Sequence, residues 1–365
     1  MKLTKKKTAL LLIAILGIIV TFWAYQHPLG KGTLAQVTQV QSVSHQAETD
    51  QYQNKDTQFE QRLTLRILNG SHQGQTYQVT NDYDASQLIN QRYYHNQRVY
   101  VQVSHQGKAN ILTAKRDWVL ILALTVTALI LVAILAKKSW LILLSVTVNC
   151  LLFLVTLRLD IWRNGTATIL LYSSAAIVFA TVTFLIYQGW RRKMAIMLLS
   201  TIGALVIAFG LSYGIMRATN EQGITYMAVA YATQSPRSLF LGQTLLGVLG
   251  AVMDESTDIV TSLSELWQHN PQLTRRQLWH SGLTIGREIM GPLINVLFLI
   301  FMAAALPMTI LYLRDNNTIS YTFEYTLSLG VLQSLISAIG IVLTVPIATL
   351  ASFLLRPLTK EAQAQ

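Results

Sequence analysis

The sequence predicts an all-α polytopic membrane bundle of about eight transmembrane helices, with a small β-rich domain inserted after the first of them. Three observations carry that prediction. Of the 365 residues, 52% are hydrophobic and only 12% charged, roughly half the ~25% charge content of soluble domains. Long uncharged runs follow one another along the chain, each near or above the ~20 residues that a helix needs to cross a hydrocarbon layer about 30 Å thick. One block, residues 27–116, has no such run and is polar and rich in Gln.

The first run, "TALLLIAILGIIVTFWAY" (8–25), follows the basic "KLTKKK" and fills the segment 1–26. It reads as a retained anchor, a cleaved leader being the alternative, because its downstream end "TFWAYQH" lacks small residues in an A-x-A arrangement. Within 27–116, the stretches "AQVTQVQSV" (35–43), "FEQRLTLRIL" (59–68), "QTYQVTN" (75–81) and "QRVYVQV" (97–103) alternate with period 2. The Gly-bearing "NGSHQGQ" (69–75) is a hairpin signal between two of them. About five strands in this length predict an OB- or SH3-like β-barrel. Its histidines His27, His45, His72, His95 and His105 show no metal-ligand spacing and read as surface residues.

From 117 to 356 the runs are "WVLILALTVTALILVAILA" (118–136), "SWLILLSVTVNCLLFLVTL" (139–157), "ATILLYSSAAIVFATVTFLIYQG" (167–189) and "MAIMLLSTIGALVIAFGLSYGIM" (194–216). They continue with "INVLFLIFMAAALPMTILYL" (294–313) and "LSLGVLQSLISAIGIVLTVPIATLASFLL" (327–355), before a cytoplasmic tail at 357–365. Basic residues cluster before the first run, at Lys137–Lys138, at Arg191–Lys193, at Arg275–Arg276 and after the last run. The richer side is cytoplasmic by the positive-inside rule, giving cytoplasmic termini and an extracellular 27–116. The net charge of +11 is spread over these loops and forms no nucleic-acid patch. Trp23, Trp118, Trp140, Trp162, Trp190, Trp267 and Trp279 fall at run ends, where indole rings favour the interface. The loop 217–238 contains "YMAVAYA", a candidate return into the membrane.

The side count demands one more crossing near Leu239–Trp267, and it holds "GVLGAVMDESTDIVTSLSEL" (247–266), with four carboxylates. Asp254 falls near the middle of the crossing, where a lone Asp costs ~2.5–3.5 kcal/mol on insertion scales. Such a helix is stable only if its acids avoid lipid. Asp254, Asp258, Thr261 and Glu265 recur at i, i+4, i+7 and i+11, one helix face, with Gly247 and Gly250 one or two turns earlier. Glu255 and Ser262 lie beside the stripe, while Leu249, Val252, Met253, Ile259, Val260 and Leu263 form the other face. The expectation is a polar side turned inward toward neighbouring helices.

The expected partner is "SGLTIGREIMGPLIN" (281–295). Gly282 and Gly286 make a small-xxx-small pair, and Gly291-Pro292 predicts a broken or re-entrant helix start. Arg287, next to Glu288, is the basic residue placed to enter the bilayer, and a buried cation needs a carboxylate nearby. Asp254, Asp258, Glu255, Thr261, Arg287 and Glu288 are therefore the candidate ion- or substrate-binding set. No P-loop, nucleophile elbow, HExxH or dinucleotide fingerprint occurs, so no enzyme, metal site or cofactor is expected. The single Cys150 excludes an intrachain disulfide.

These motifs carry a resemblance. An anchor, a β-domain with "ILNGSHQGQTYQV", then "GVLGAVMDESTDIVTSLSEL" and "GLTIGREIMGPLINVLFLIF" resemble the YibE/F family of bacterial membrane proteins, from roughly residue 35 to 355. The family's Gly-x-x-Gly-Ala-x-Met-Asp is matched by Gly247 to Asp254, and its Gly-Arg-Asp by Gly286, Arg287 and Glu288, the last keeping the acid. Glu255, Asp258 and Pro292 depart from the family pattern, so the resemblance favours Asp254 and Arg287. It implies a multi-pass bacterial protein, often encoded beside a sister protein that is a candidate partner, and no settled activity. The residues themselves predict a transporter or permease component for an ion or small solute. The alternative is a non-transporting scaffold or sensor whose β-domain binds an envelope ligand or protein.

Overall fold

The computed structural model describes residues 5–30, 32–87, 90–104, 108–135, 139–226 and 235–355. Within them the chain forms two compact units, Met1–Trp140 and Leu141–Gln365.

The first unit opens with α1 (Lys5–Gln26), continues through β1 (Thr33–Thr49), β2 (Lys55–Ile67), β3 (Thr76–Asp84), β4 (Arg98–Val103) and β5 (Ala109–Ala114), and closes with α2 (Asp117–Leu135). The strands pair antiparallel in the order β3-β2-β1-β4-β5. Between β2 and β3, Gly70 and Gly74 sit at φ +85° and +84°, a left-handed conformation that glycine adopts without strain. The inward positions Ala35, Val37, Leu63, Leu65, Ile67, Val99 and Val101 form one small core with Tyr93 and Ala114.

The expected barrel does not close. The two edge strands β3 and β5 come near one another without pairing, leaving a curled open sheet. Composition explains this. From Gln41 onward β1 is exposed at every position, so on the β1 side the outer half of the β1–β2 hairpin has no core to close around.

At the base of the sheet, the side chain of Lys115 is fully buried and its Nζ donates to Asp117 Oδ2 (2.7 Å) and to the His27 carbonyl (2.8 Å). Tyr100 OH donates to the same Asp117 oxygen at 2.9 Å. One ammonium thus ties the end of α1, strand β4 and the start of α2 together. Arg98 adds a second tie, stacking 4.4 Å over the Tyr25 ring.

The second unit contains α3 (Ser139–Trp162), α4 (Thr168–Gln188), α5 (Arg192–Ala218), α6 (Pro236–His269), α7 (Arg275–Arg314) and α8 (Ile319–Ser352). A π-turn at Phe323–Leu327 lies near the start of α8. Seven of the described helices, α2 to α8, are long and apolar enough to cross a membrane. Every tryptophan falls within four residues of a helix end, as interfacial anchors do.

Helices α5, α6 and α8 form the heart of the unit. Their register can be read from close approaches. Gln243 Nε2 donates to Gln333 Oε1 (3.3 Å), and a Cβ on Gly340 would stand 2.9 Å from Val248 and Val252, so α6 and α8 run parallel. A Cβ on Gly203 would meet Ile347 at 3.5 Å and one on Gly340 would meet Ala208 at 3.7 Å, so α5 runs antiparallel to α8.

Helix α7 corrects a second expectation. It runs unbroken from Arg275 to Arg314, through Pro292 and Pro307, started by a capping box of Thr274 and Gln277. In a helix of about eleven turns, each proline removes one of many backbone bonds, so a continuous helix survives. Gly282 and Gly286 do act as small residues at an interface, facing Thr349 and Val345 of α8. The candidate return through "YMAVAYA" (226–232) lies beyond Tyr226 outside the described residues, as does the tail at 357–365.

Candidate functional site

Helix α6 turns its apolar residues into the bundle. Val248, Leu249, Val252, Ile259, Val260 and Leu263 are all buried in one cluster with α5 and α8 residues. Burying that face fixes the rotation of the helix, and the rest follows from the 3.6-residue period. Gly250, Asp254, Asp258 and Glu265 fall on the opposite side and are exposed, with Gly247 and Thr261 half-buried on the same stripe. The predicted stripe exists, but it faces the accessible surface of the chain and not the packed interior.

Glu255 has the opposite fate. It follows Val252 by three residues and precedes Ile259 by four, which puts it on the apolar face. It is 0% exposed, and neither carboxylate oxygen has a hydrogen-bond partner. The next residue, Ser256, is also fully buried and donates from Oγ to the Met197 carbonyl of α5 at 3.1 Å. That bond fixes the level of the acids. Met197 lies in the second turn of α5, about 8 Å along the axis from Arg192 at 1.5 Å per residue. The acids therefore stand toward the Arg191–Lys193 end of the bundle, not at its middle. Helix α6, at 34 residues and about 50 Å, is long enough that its midpoint need not be the midpoint of a bilayer.

Asp254 does open onto a cavity. A cleft of about 350 Å³ is lined by Asn149 of α3, Phe179 and Thr183 of α4, and Leu246, Leu249, Gly250, Met253 and Asp254 of α6. Asn149 Nδ2 donates to Thr183 Oγ1 at 2.7 Å, which leaves Asn149 Oδ1 buried without a partner. The cleft thus presents a carboxylate, an amide oxygen and a hydroxyl, the hard oxygen donors that suit a small cation or a proton. Sequence reasoning missed Asn149 and Thr183. An amide in the middle of the uncharged run 139–157 was the available signal, since polar groups at such depth need a partner.

Arg287 is not brought to these acids. It and Glu288 are exposed on α7, and no ion pair joins Arg287 to any carboxylate among the described residues. The reason is rotational: Gly282 and Gly286 take the face of α7 that meets α8, and Arg287, one residue on, points about 100° away from it. Gly291 has open space where a Cβ would stand, as does Gly250.

Comparison with protein families gives two matches that together span nearly the whole chain. The YibE/F-like protein family covers residues 123–357, and the YibE/F family N-terminal domain covers residues 25–117. Neither the curated proteins nor the solved structures contain a match. Helices of membrane-spanning length, the acid-bearing α6 and the small antiparallel sheet are what the two matched regions consist of, and the chain belongs to the YibE/F-like family.

Proposed function

We propose that this protein is a multi-pass membrane transporter or permease component for an ion or small solute, with its binding site at the acid-bearing turns of α6. One observation carries the reading. Glu255 is a carboxylate buried in the core of the helical unit with no donor for either oxygen, and it sits between two further carboxylates, Asp254 and Asp258, on the same two turns. A group of that kind is costly to bury, and ionisable groups inside apolar bundles mark ion and substrate routes more often than they stabilise packing. Asp254 in its cleft with Asn149 supplies a point of entry, and Thr261 and the Gly247–Gly250 pair line the same face. Arg287 and Glu288 act as an exposed charge pair beside that route and not as its buried counter-ion. By the positive-inside rule both termini are cytoplasmic and the sheet is extracellular.

The test is flux into proteoliposomes of the full chain, followed with proton- and sodium-sensitive dyes and radiolabelled small solutes. The double substitution Asp254→Asn with Asp258→Asn is expected to lower flux roughly tenfold. Unchanged flux would remove these residues from the mechanism.

The sheet supports a second reading, as a scaffold or sensor. A polar groove of about 390 Å³ on its outer half is lined by Ser44, Gln46, Gln58, Phe59, Glu60, Thr80 and Asp82. On that reading, deleting 27–116 abolishes function and neutralising the α6 acids lowers only stability.

A further inference from the structure

Buried hydroxyls in helices ordinarily donate to the carbonyl one turn back, and here Ser200, Ser334, Thr344, Thr349 and Ser352 all do so. Four others do not. Thr201 and Ser212 of α5, Thr244 of α6 and Ser337 of α8 are buried and have no hydrogen-bond partner. The large majority of buried side-chain polar atoms are paired in folded proteins, so a set of orphans in one interface asks for an explanation.

The register of the three helices puts them in line. Gln243 is level with Gln333, which sets Thr244 beside Ser334, one turn before Ser337. Ala208 is level with Gly340, which sets Ser212 beside Ser337. Beyond Gly340, α6 brings in Glu255 at the level of Thr344 and Val345, and α5 brings in Thr201 about a turn short of it, because Ser256 bonds the carbonyl of Met197, four residues before Thr201 on a helix antiparallel to α6. From Thr244 to Glu255 the column is about 16 Å long at 1.5 Å per residue, and Glu255 is its one ionisable member.

Among the described residues, no ion pair or hydrogen bond joins a cation to Glu255. From Ser328 to Ser352, α8 has no titratable residue at all. The basic groups of α5 nearest in sequence, Arg192 and Lys193, precede Met197 by a turn or more, and Arg192 is exposed. On α7 the groups at this level, Arg287 and Glu288, are exposed; on α4 the end-turn Tyr187 is exposed as well. The charged neighbour that acts on Glu255 is Asp258, one turn along α6. A second carboxylate cannot neutralise the first, and a proton can.

Building on the transport reading above, we propose that the transported or coupling ion is the proton, and that its path is the hydroxyl column between α5, α6 and α8 with Glu255 as the carrier. Protonated Glu255 is neutral and matches its surroundings. No hydroxyl of the column is within hydrogen-bond reach of Glu255 or of another member, so water molecules entering the column supply the links. On release, the Glu255 O–H bond breaks as an O–H bond forms on such a water, and each water or hydroxyl along the column accepts one proton as it passes on another.

The experiment uses the full chain in phosphatidylethanolamine–phosphatidylglycerol vesicles loaded with a pH-sensitive dye, with a potassium diffusion potential as the driving force and a sodium-sensitive dye in parallel vesicles. The expected result is proton entry that falls by about tenfold or more in Glu255→Gln. Ser337→Ala and Thr244→Val change volume little and keep the fold, as monodisperse elution will show; each is expected to slow entry severalfold. Proton entry equal in wild type and all three variants overturns the path. So does the absence of proton entry while sodium or solute flux sensitive to Asp254→Asn persists, and that result leaves the transport reading standing. No flux of any kind overturns both.

Discussion

Successive residues on a helix point about 100° apart, and α6 converts that rotation into two environments for adjacent acids. Asp254 looks into a largely apolar cleft that also holds Asn149 and Thr183, while Glu255 is sealed among Val252, Ile259 and their neighbours. Side chains elsewhere show how differently a carboxylate fares with donors. Asp56 accepts from Ser86 Oγ at 2.6 Å and from its neighbour's backbone, Thr57 N–H, at 2.7 Å, and these bonds, the hydroxyl first, hold it below the usual carboxylate range. The sign of the linkage follows. A lowered folded pKa contributes stability above the unfolded value, and that contribution is lost as pH falls through the folded one. Ser86→Ala should bring Asp56 back toward its ordinary value, read as a shift of its carboxyl resonance in a pH titration, and should flatten the acid limb of thermal stability of the full chain. An unmoved resonance would mean that the hydroxyl contributes nothing.

At the scale of elements, small residues decide how near the helices lie. A side chain at Gly282 or Gly286 would run into Thr349 or Val345 of α8, and one at Gly242 into the Tyr172 ring, 2.9 Å from the nearest atom. Gly286→Leu is therefore expected to cost about 1–3 kcal/mol or more through overpacking, visible as a lower melting temperature in detergent. Gly291→Ala is the control on the same helix. It meets nothing within 4 Å and gains up to ~1 kcal/mol of helix propensity. Equal melting of the two variants would refute the close α7–α8 contact. The strands obey the same logic with opposite outcome. Where β1 and β2 carry apolar inward residues they form a core, and where β1 turns polar, from Gln41 onward, it lies exposed.

For the whole molecule, helix number, most helix ends and the presence of strands were legible in the sequence because each rests on local signals: run length, indole placement and period-2 alternation; the unbroken start of α7 and the open edge of the sheet were not. The acid stripe from Gly250 to Glu265 was legible as a stripe for the same reason. Its direction was not, because rotation of α6 is set by the sum of its neighbours, and Val248, Val252 and Ile259 outweigh two exposed aspartates. Family resemblance pointed to Asp254 and Arg287 and away from Glu255, the residue that packing singles out in this chain. Arg287 stayed unpaired because Gly282 and Gly286 claim the contact face of α7. Orientation is a separate question and has a direct test. In a Cys150→Ser background, Glu48→Cys and Asn164→Cys should react with a membrane-impermeant maleimide added to intact cells, and Asn270→Cys only after lysis. The reverse pattern would invert the topology.

The ammonium of Lys115 has a mechanical consequence. It grips the exit of the first helix, a strand and the entry of the second helix at one point, and Gly17 lets those two helices touch along their length at Thr125. The sheet cannot swivel on its stalk without stranding that charge. A load hung on the β1–β2 hairpin is therefore passed to the helix pair as torque, and the β-domain behaves as a rigid handle, not a tethered flag.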